Sequence, residues 1–172
     1  SAPATDVVHS ASPQCRWHSL WVAVDPVVPP SGVVTFLFTD VEGSTHRWEA
    51  DPTFMQHALA RHDAALEAAV NGNGGWLFKH TGDGVCAAFE SPRAAVDAAI
   101  QAQRTVELPV RMGIATGEVQ LREGDYFGRA LNRAARVMAV GHGGQIVVSE
   151  STARLIVGID LIDLGERPLR GI

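Results

Sequence analysis

The strongest constraint on the fold is the order of the elements predicted between Val33 and Val119. Residues 33–38 form an almost continuous apolar and β-branched run, which is typical of a buried central strand. A helix is predicted after Asp51, then two strands around residues 81–84, an Ala-rich helix after Ser91, and a strand over residues 110–119. This order predicts an α+β fold with a ferredoxin-like βαββαβ core.

Further elements are predicted to extend this core into a sandwich. They are a helix over about 128–140, a strand at 145–148, a helix opened by Ser149 and a strand at 159–164. Residues 1–31, rich in Ser, Pro and Ala, are interpreted as an extension, either flexible or leader sequence. Residues 32–172 are interpreted as one catalytic domain.

Composition narrows the class of protein. The chain has 172 residues, a formal net charge of -5 and a pI near 5.7, which disfavours binding to nucleic acid or to an anionic membrane surface. The apolar run at residues 20–24 is too short for a transmembrane span. Cys15 and Cys86 are far apart and without metal-site spacing, so a reducing, cytoplasmic location is expected.

Two aspartates are candidates for a metal site. Asp40 ends the first strand and Asp83 occupies the turn between the next two, and strands one and three of a βαββαβ unit are neighbours. Two converging carboxylates repel unless positive charge lies between them, and a pair of hard divalent cations supplies it. The alternative is that Asp40 caps the next segment and Asp83 only shapes an Asp-Gly turn.

The segment that follows Asp40 could approach a phosphate. Val41-Glu42-Gly43-Ser44-Thr45 joins a strand to a helix through small residues, which leave backbone N–H groups accessible. It lacks the Walker A pattern. Such segments also occur as ordinary connections between a strand and a helix, so this observation alone does not establish a phosphate-binding site.

A third candidate lies on the predicted helix after Asp125. Asn132 and Arg136 are four residues apart and therefore share one face. An amide and a guanidinium that project together suit a ribose oxygen and a phosphorus centre that is gaining charge. The alternative is an ordinary solvated polar face.

Taken together, these segments resemble a known family. Residues 38–45, residues 79–84 and residues 125–136 closely resemble the catalytic domain of class III adenylyl and guanylyl cyclases. The motifs are most similar to those of the short soluble adenylyl cyclases of mycobacteria, and the resemblance covers about residues 33–170. It implies a cyclase-like sandwich that converts ATP to 3′,5′-cyclic AMP and pyrophosphate.

The resemblance also implies roles for single residues and a homodimer with two composite active sites. One protomer would contribute Asp40 and Asp83, with the Val41 carbonyl, to two divalent cations, Mg²⁺ or Mn²⁺. The other would contribute the remaining family positions: Lys79 and Asp125 for adenine, Asn132 for the ribose and Arg136 for the transition state. Further candidate contacts to the triphosphate are Gly43, Ser44, Thr45, Arg122 and Arg170.

Adenine is expected over guanine for a physical reason. A lysine donates to N1 of adenine and a carboxylate accepts from its N6 amine, whereas guanine presents the opposite pattern at both positions. Guanylyl cyclases of this family usually carry Glu and Cys where Lys79 and Asp125 stand. The alternatives are a guanylyl cyclase, a diguanylate cyclase, or a non-catalytic module that binds nucleotide and dimerises.

Overall fold

The computed structural model describes residues 28–165 as one mixed α+β unit. Its strands are β1 (Gly32–Val41), β2 (Trp76–His80), β3 (Val85–Phe89), β4 (Val110–Arg122), β5 (Asp125–Phe127) and β6 (Ile146–Val148). Its helices are α1 (Ser44–Ala50), α2 (Pro52–Gly72), α3 (Pro92–Thr105), α4 (Arg129–Ala139) and α5 (Glu150–Ala153).

The sheet has the predicted ferredoxin-like topology. The strand order is β2-β3-β1-β4-β5, and β6 pairs in parallel with the first half of β4. The central strand β1 is antiparallel to both β3 and β4, with Phe38 opposite Cys86 and Asp40 opposite Arg111. The prediction that the first and third strands are neighbours is therefore confirmed.

The two sides of the sheet carry different cores. On the α2/α3 side, Leu37 and Val41 of β1 pack with the apolar residues of those helices, such as Met55 and Leu66. On the opposite side, called the α4 side below, Phe36 of β1 packs with residues of β3, β4, β5 and α4. Side chains alternate along a strand, so residues 36, 38 and 40 of β1 share the α4 side.

The helix starts follow the predicted capping chemistry. The Asp51 carboxylate accepts a hydrogen bond from the backbone N–H of Phe54 at 2.9 Å, and the Ser91 hydroxyl accepts one from Ala94 at 3.4 Å. Proline occupies the first turn of both helices, where its missing N–H has no cost. These local signals are why α2 and α3 begin where the sequence predicts.

Three elements differ from prediction. The strand expected at 159–164 does not form. Among the described residues no strand pairs with this segment, and Ile162 is 87% exposed. Conversely, α1 and β5 were not anticipated. β5 folds back on β4 through a two-residue turn in which Glu123 and Gly124 have φ of 52° and 84°, the positive values of a hairpin turn.

The segment before β1 touches the domain. The Tyr126 hydroxyl donates to the Pro30 carbonyl at 2.8 Å. Residues 1–27 and 166–172, which include Cys15 and Arg170, lie outside the described residues. Among the residues that are described, no helix combines the length and apolarity needed to cross a membrane.

Candidate active site

Asp40 and Asp83 belong to segments that the backbone holds together. The N–H of Val41 donates to the Asp83 carbonyl at 3.2 Å, and the N–H of Val85 donates to the Thr39 hydroxyl at 2.9 Å. These bonds attach the turn between β2 and β3 to the end of β1. The structure thus brings Asp40 and Asp83 to the same edge of the sheet, called the acidic edge below.

Gly84 is what permits this approach. A Cβ atom at Gly84 would lie 1.9 Å from the Thr39 carbonyl oxygen, a separation that no side chain tolerates. Any other residue at this position would push the turn away from β1, and Asp83 with it. The glycine therefore has a direct steric role in the geometry of the site.

Arg111 is a cation at this edge that sequence analysis did not single out. It lies opposite Asp40 across the β1–β4 pair, and its Nε and Nη2 atoms are 2.7 and 2.5 Å from Asp40 Oδ2. The signal available in the sequence was one charged residue between Val110 and Met112, inside an otherwise apolar strand. Which residue Arg111 faces depends on the register between β1 and β4, which the sequence does not reveal.

The donor chemistry at this edge fits a hard divalent cation. It comprises the carboxylates of Asp40 and Asp83 and the nearby backbone of Val41, all oxygen donors. Within residues 28–165 no group of three or more His, Cys, Asp or Glu side chains is arranged to hold a metal. A two-carboxylate set suits Mg²⁺ or Mn²⁺, because such ions retain waters and take further oxygens from a bound polyphosphate.

The loop from Gly43 to Thr45 leads directly into α1. Gly43 has φ of 67°, the left-handed region that favours glycine, and stands at the N-cap of this seven-residue helix. Ser44 is half-buried and Thr45 is exposed. The loop is adjacent to Asp40 in the chain, so a phosphate held at the acidic edge would lie close to it.

A β-bulge decides the direction of Lys79. Leu77 pairs with Ala87, but the next pair joins Lys79, not Phe78, to Cys86. Cys86 also faces Phe38, so this pairing puts Lys79 on the α4 side together with the Phe78 ring. Strict alternation along β2 would have separated the two side chains onto opposite sides.

An aromatic cluster links β2 to β5 across the α4 side. The Phe78 ring centroid lies 5.0 Å from that of Tyr126 and 5.9 Å from that of Phe36. Lys79 and Asp125 are the chain neighbours of Phe78 and Tyr126, and both are exposed. No ion pair joins Lys79 to Asp125 within the described part of the chain, so each charged group is accessible to a ligand.

Asn132 and Arg136 occupy adjacent turns of α4, as predicted. Asn132 is exposed and Arg136 half-buried, while Ala130, Ala134 and Val137 of the same helix are buried against the sheet. This helix covers the α4 side, the side of the sheet to which Asp40 also belongs. No ion pair joins Arg136 to Asp40 or Asp83 among residues 28–165.

Of the two remaining predicted arginines, only Arg122 lies among the described residues. Arg122, at the end of β4, hydrogen bonds with the Gln120 side chain, and its guanidinium lies 5.9 Å from the centre of the Phe127 ring. Both contacts place Arg122 on the β4–β5 hairpin, and its predicted contact with the triphosphate stays a prediction. Arg170 lies outside the described residues.

A buried histidine lies behind the acidic edge. His62 of α2 is 2% exposed, and neither ring nitrogen has a hydrogen-bond partner among the described residues. Burial lowers the pKa of His62, while the nearby negative charges of Asp63 and Asp83 act in the opposite direction. Sequence analysis missed it because a histidine within an apolar helix face has no distinctive spacing.

Comparison with known proteins identifies a domain that covers almost the whole chain. The sequence profile of the adenylate and guanylate cyclase catalytic domain matches residues 27–171. The solved adenylate cyclases of Trypanosoma brucei, in their monomeric state, superpose with a TM-score of 0.76 at 27% identity. That match covers 87% of this chain and 88% of theirs.

Curated relatives share substantial sequence with this chain. An uncharacterised protein of Mycobacterium tuberculosis is 42% identical over 154 residues, which is 84% of this chain and 54% of that protein. A receptor-type adenylate cyclase of Trypanosoma equiperdum is 30% identical over 195 residues, covering 81% of this chain and 42% of that protein. The chain thus spans about half the length of the curated relatives it matches.

Proposed function

Because this chain belongs to the adenylate and guanylate cyclase catalytic domain family, the class III nucleotidyl cyclases, we propose that it converts ATP to 3′,5′-cyclic AMP and pyrophosphate. The observation that carries the choice of ATP is the contact between the Phe78 and Tyr126 rings. It draws together the strand segments that bear Lys79 and Asp125, the pair proposed to recognise adenine.

Recognition of adenine rests on complementary hydrogen bonding. The Lys79 ammonium has only donors and suits the N1 acceptor of adenine, while the Asp125 carboxylate has only acceptors and suits the N6 amine. With guanine, the Lys79 ammonium would face the N1 donor and the Asp125 carboxylate would face the O6 acceptor, so neither hydrogen bond could form. A site that leaves polar groups unpaired rejects the wrong base by about several kcal/mol when both contacts fail.

Asp40 and Asp83, with the Val41 carbonyl, would hold two divalent cations, Mg²⁺ or Mn²⁺. When bound, such ions lower the pKa of the ribose 3′-hydroxyl and neutralise the triphosphate. The backbone of Gly43, Ser44 and Thr45 would approach the phosphates from the adjoining loop. Gly84 supports this arrangement by keeping the turn against Thr39.

Asn132 and Arg136 would act on the reacting centre. The 3′-hydroxyl gives its proton to water or to a substrate phosphate, its oxygen attacks the α-phosphorus and pyrophosphate leaves in line, so negative charge grows on the phosphoryl oxygens. The Arg136 guanidinium donates to those oxygens, and the Asn132 amide orients the ribose so that the 3′-oxygen points at phosphorus. Both roles suit side chains fixed on a helix that packs closely on the sheet.

The active site is proposed to form between two copies of the chain. Asp40 and Asp83 of one protomer would face Lys79, Asp125, Asn132 and Arg136 of its partner, which gives two equivalent sites by symmetry.

The test is a direct assay of both products. Purified protein supplied with Mn²⁺ or Mg²⁺ is expected to form cyclic AMP from ATP in large excess over cyclic GMP from GTP. Asp40→Ala and Asp83→Ala should each abolish turnover while the circular dichroism spectrum stays native, because each removes a metal ligand. Dominant cyclic GMP, a cyclic dinucleotide formed from GTP, or nucleotide binding without turnover would support the guanylyl, diguanylate or non-catalytic alternatives, respectively.

A further inference from the structure

The ion pair between Arg111 and Asp40 joins two central strands at the acidic edge. The two residues are in register across β1 and β4, and the guanidinium places both Nε and Nη2 within 2.7 Å of one carboxylate oxygen, Oδ2. The Arg111 side chain is 31% exposed and that of Asp40 is 22% exposed. Neither group is locked into the core, so the guanidinium has room to leave.

The pair lies at the proposed metal site, because Asp40 is one of the two carboxylates assigned to it. Val110 and Met112 face the α2/α3 side, so Arg111 lies on the α4 side with Asp40. A Cβ atom at Gly141, just beyond the end of α4, would lie 3.9 Å from the Arg111 Cβ. The pair therefore lies between the end of β1 and the C-terminal end of the helix that carries Arg136.

Arg111 and a metal ion would make opposing demands on the same carboxylate. A divalent cation binds carboxylate oxygens at about 2.0–2.6 Å. The guanidinium nitrogens already lie 2.5 and 2.7 Å from Oδ2. A dication on Asp40 must displace this guanidinium or bind against its positive charge, and either event weakens metal binding.

We propose that Arg111 is a built-in competitor of the divalent cation at Asp40. In the metal-free protein it neutralises Asp40 and stabilises the β1–β4 edge, and metal loading requires it to release the carboxylate. The affinity for metal is thereby set below that of the bare two-aspartate site. This inference rests on the proposed function only in its assignment of Asp40 as a metal ligand.

The test is Mn²⁺ binding without nucleotide, followed through the electron paramagnetic resonance signal of the free ion. Arg111→Gln removes the charge and is expected to tighten Mn²⁺ binding by roughly two- to fivefold, the range for a partly exposed ion pair. Arg93→Gln is the matched control, because Arg93 forms an ion pair with Asp97 on α3, away from the acidic edge. Its Mn²⁺ affinity should equal that of the wild type.

A second measurement uses the unaltered protein, so it does not depend on the variant folding. The Nε–H resonance of Arg111 should shift on titration with Mg²⁺ as its bond to Asp40 breaks, and that of Arg93 should not. Unchanged or weaker Mn²⁺ binding in Arg111→Gln, or an Arg111 resonance that stays fixed at saturating Mg²⁺, would overturn the competitor role. If Asp40→Ala binds Mn²⁺ as well as the wild type does, the metal assignment in the proposed function fails instead.

Discussion

At the scale of single residues, the proposed recognition of adenine depends most on the direction of Lys79. The bulge after Leu77 puts Lys79 opposite Cys86, on the side of the sheet where Phe78 meets Tyr126. A regular strand would have aimed the ammonium away from Asp125. One irregularity in the pairing of β2 with β3 thus supports the proposed recognition of adenine.

The base preference can be tested by reversing the hydrogen-bonding pattern. Lys79→Glu combined with Asp125→Cys is expected to lower kcat/KM for ATP by at least about a hundredfold and to raise the GTP:ATP activity ratio. Both products are measured for the double variant and for each single variant. A double variant that keeps its preference for ATP would show that the base is recognised by other residues.

The buried His62 predicts a pH dependence of stability. Burial lowers its pKa below the ordinary value near 6.5, so the unfolded chain binds a proton that the folded chain excludes. The contribution of His62 to stability is therefore present above the unfolded-state pKa near 6.5 and is lost as the pH falls below it. Urea denaturation of the wild type at pH 7 and pH 5.5 should reveal the loss.

His62→Leu should remove that pH-dependent loss and stabilise the protein at pH 5.5. The substitution also eliminates a buried imidazole that has no hydrogen-bond partner among residues 28–165. His57→Leu serves as the control, since His57 is exposed on the same helix. If the loss of stability persists in His62→Leu, another group titrates in this range.

At the scale of elements, the contact of α4 with β4 sets the position of the proposed catalytic helix. A Cβ atom at Gly113 would lie 2.3 Å from the backbone nitrogen of Met138, and one at Gly117 would lie 3.1 Å from the Ala130 Cβ. These glycines are four residues apart on one side of β4 and let the helix lie close to the sheet. The height of Arg136 above the sheet follows from this contact.

Gly113→Ala is therefore expected to push α4 outward. The overpacking should reduce the free energy of unfolding by about 1–3 kcal/mol and lower kcat more than it raises KM, because Arg136 acts in the transition state. Gly72→Ala is the matched control, since a Cβ there has no neighbour within 4 Å and the residue lies in a helix. Its stability should be unchanged or slightly higher. A Gly113→Ala protein with normal stability and kcat would contradict this account of the interface.

At the scale of the whole molecule, the proposed active site needs two chains. The solved relatives from Trypanosoma brucei are described in their monomeric state, so the family fold does not by itself require a stable dimer. Activity that depends on association should fall on dilution. The dimer fraction would be measured by sedimentation and the turnover by the activity assay, both over the same range of protein concentrations. Turnover per chain should rise in proportion to the dimer fraction.

Complementation between inactive variants tests the shared site directly. Asp40→Ala and Arg136→Ala should each be inactive alone, because each homodimer lacks one component in both sites. Heterodimers carry one site with both lesions and one with neither, so random mixing of equal amounts should restore about a quarter of wild-type activity. Co-expression with two affinity tags isolates the heterodimer. Inactive heterodimers would show that Asp40 and Arg136 do not act across protomers.

Local patterns in the sequence determined much of this protein. The apolar run of β1, the caps at Asp51 and Ser91 and the order of elements predicted the βαββαβ core, because such signals depend only on neighbouring residues. The same topology predicted that the segments of Asp40 and Asp83 would meet. The acidic edge therefore follows from strand order alone, without knowledge of the register.

Tertiary structure alone decided the features that depend on register and on long-range pairing. The pairing of Arg111 with Asp40 requires two residues 71 positions apart in the chain to lie opposite each other. The direction of Lys79 depends on a register shift of one residue between β2 and β3. The segment at 159–164 has a strand-like composition, yet it stays irregular because no described strand pairs with it. A single strand satisfies none of its backbone hydrogen bonds by itself, so its partner decides whether and how it forms.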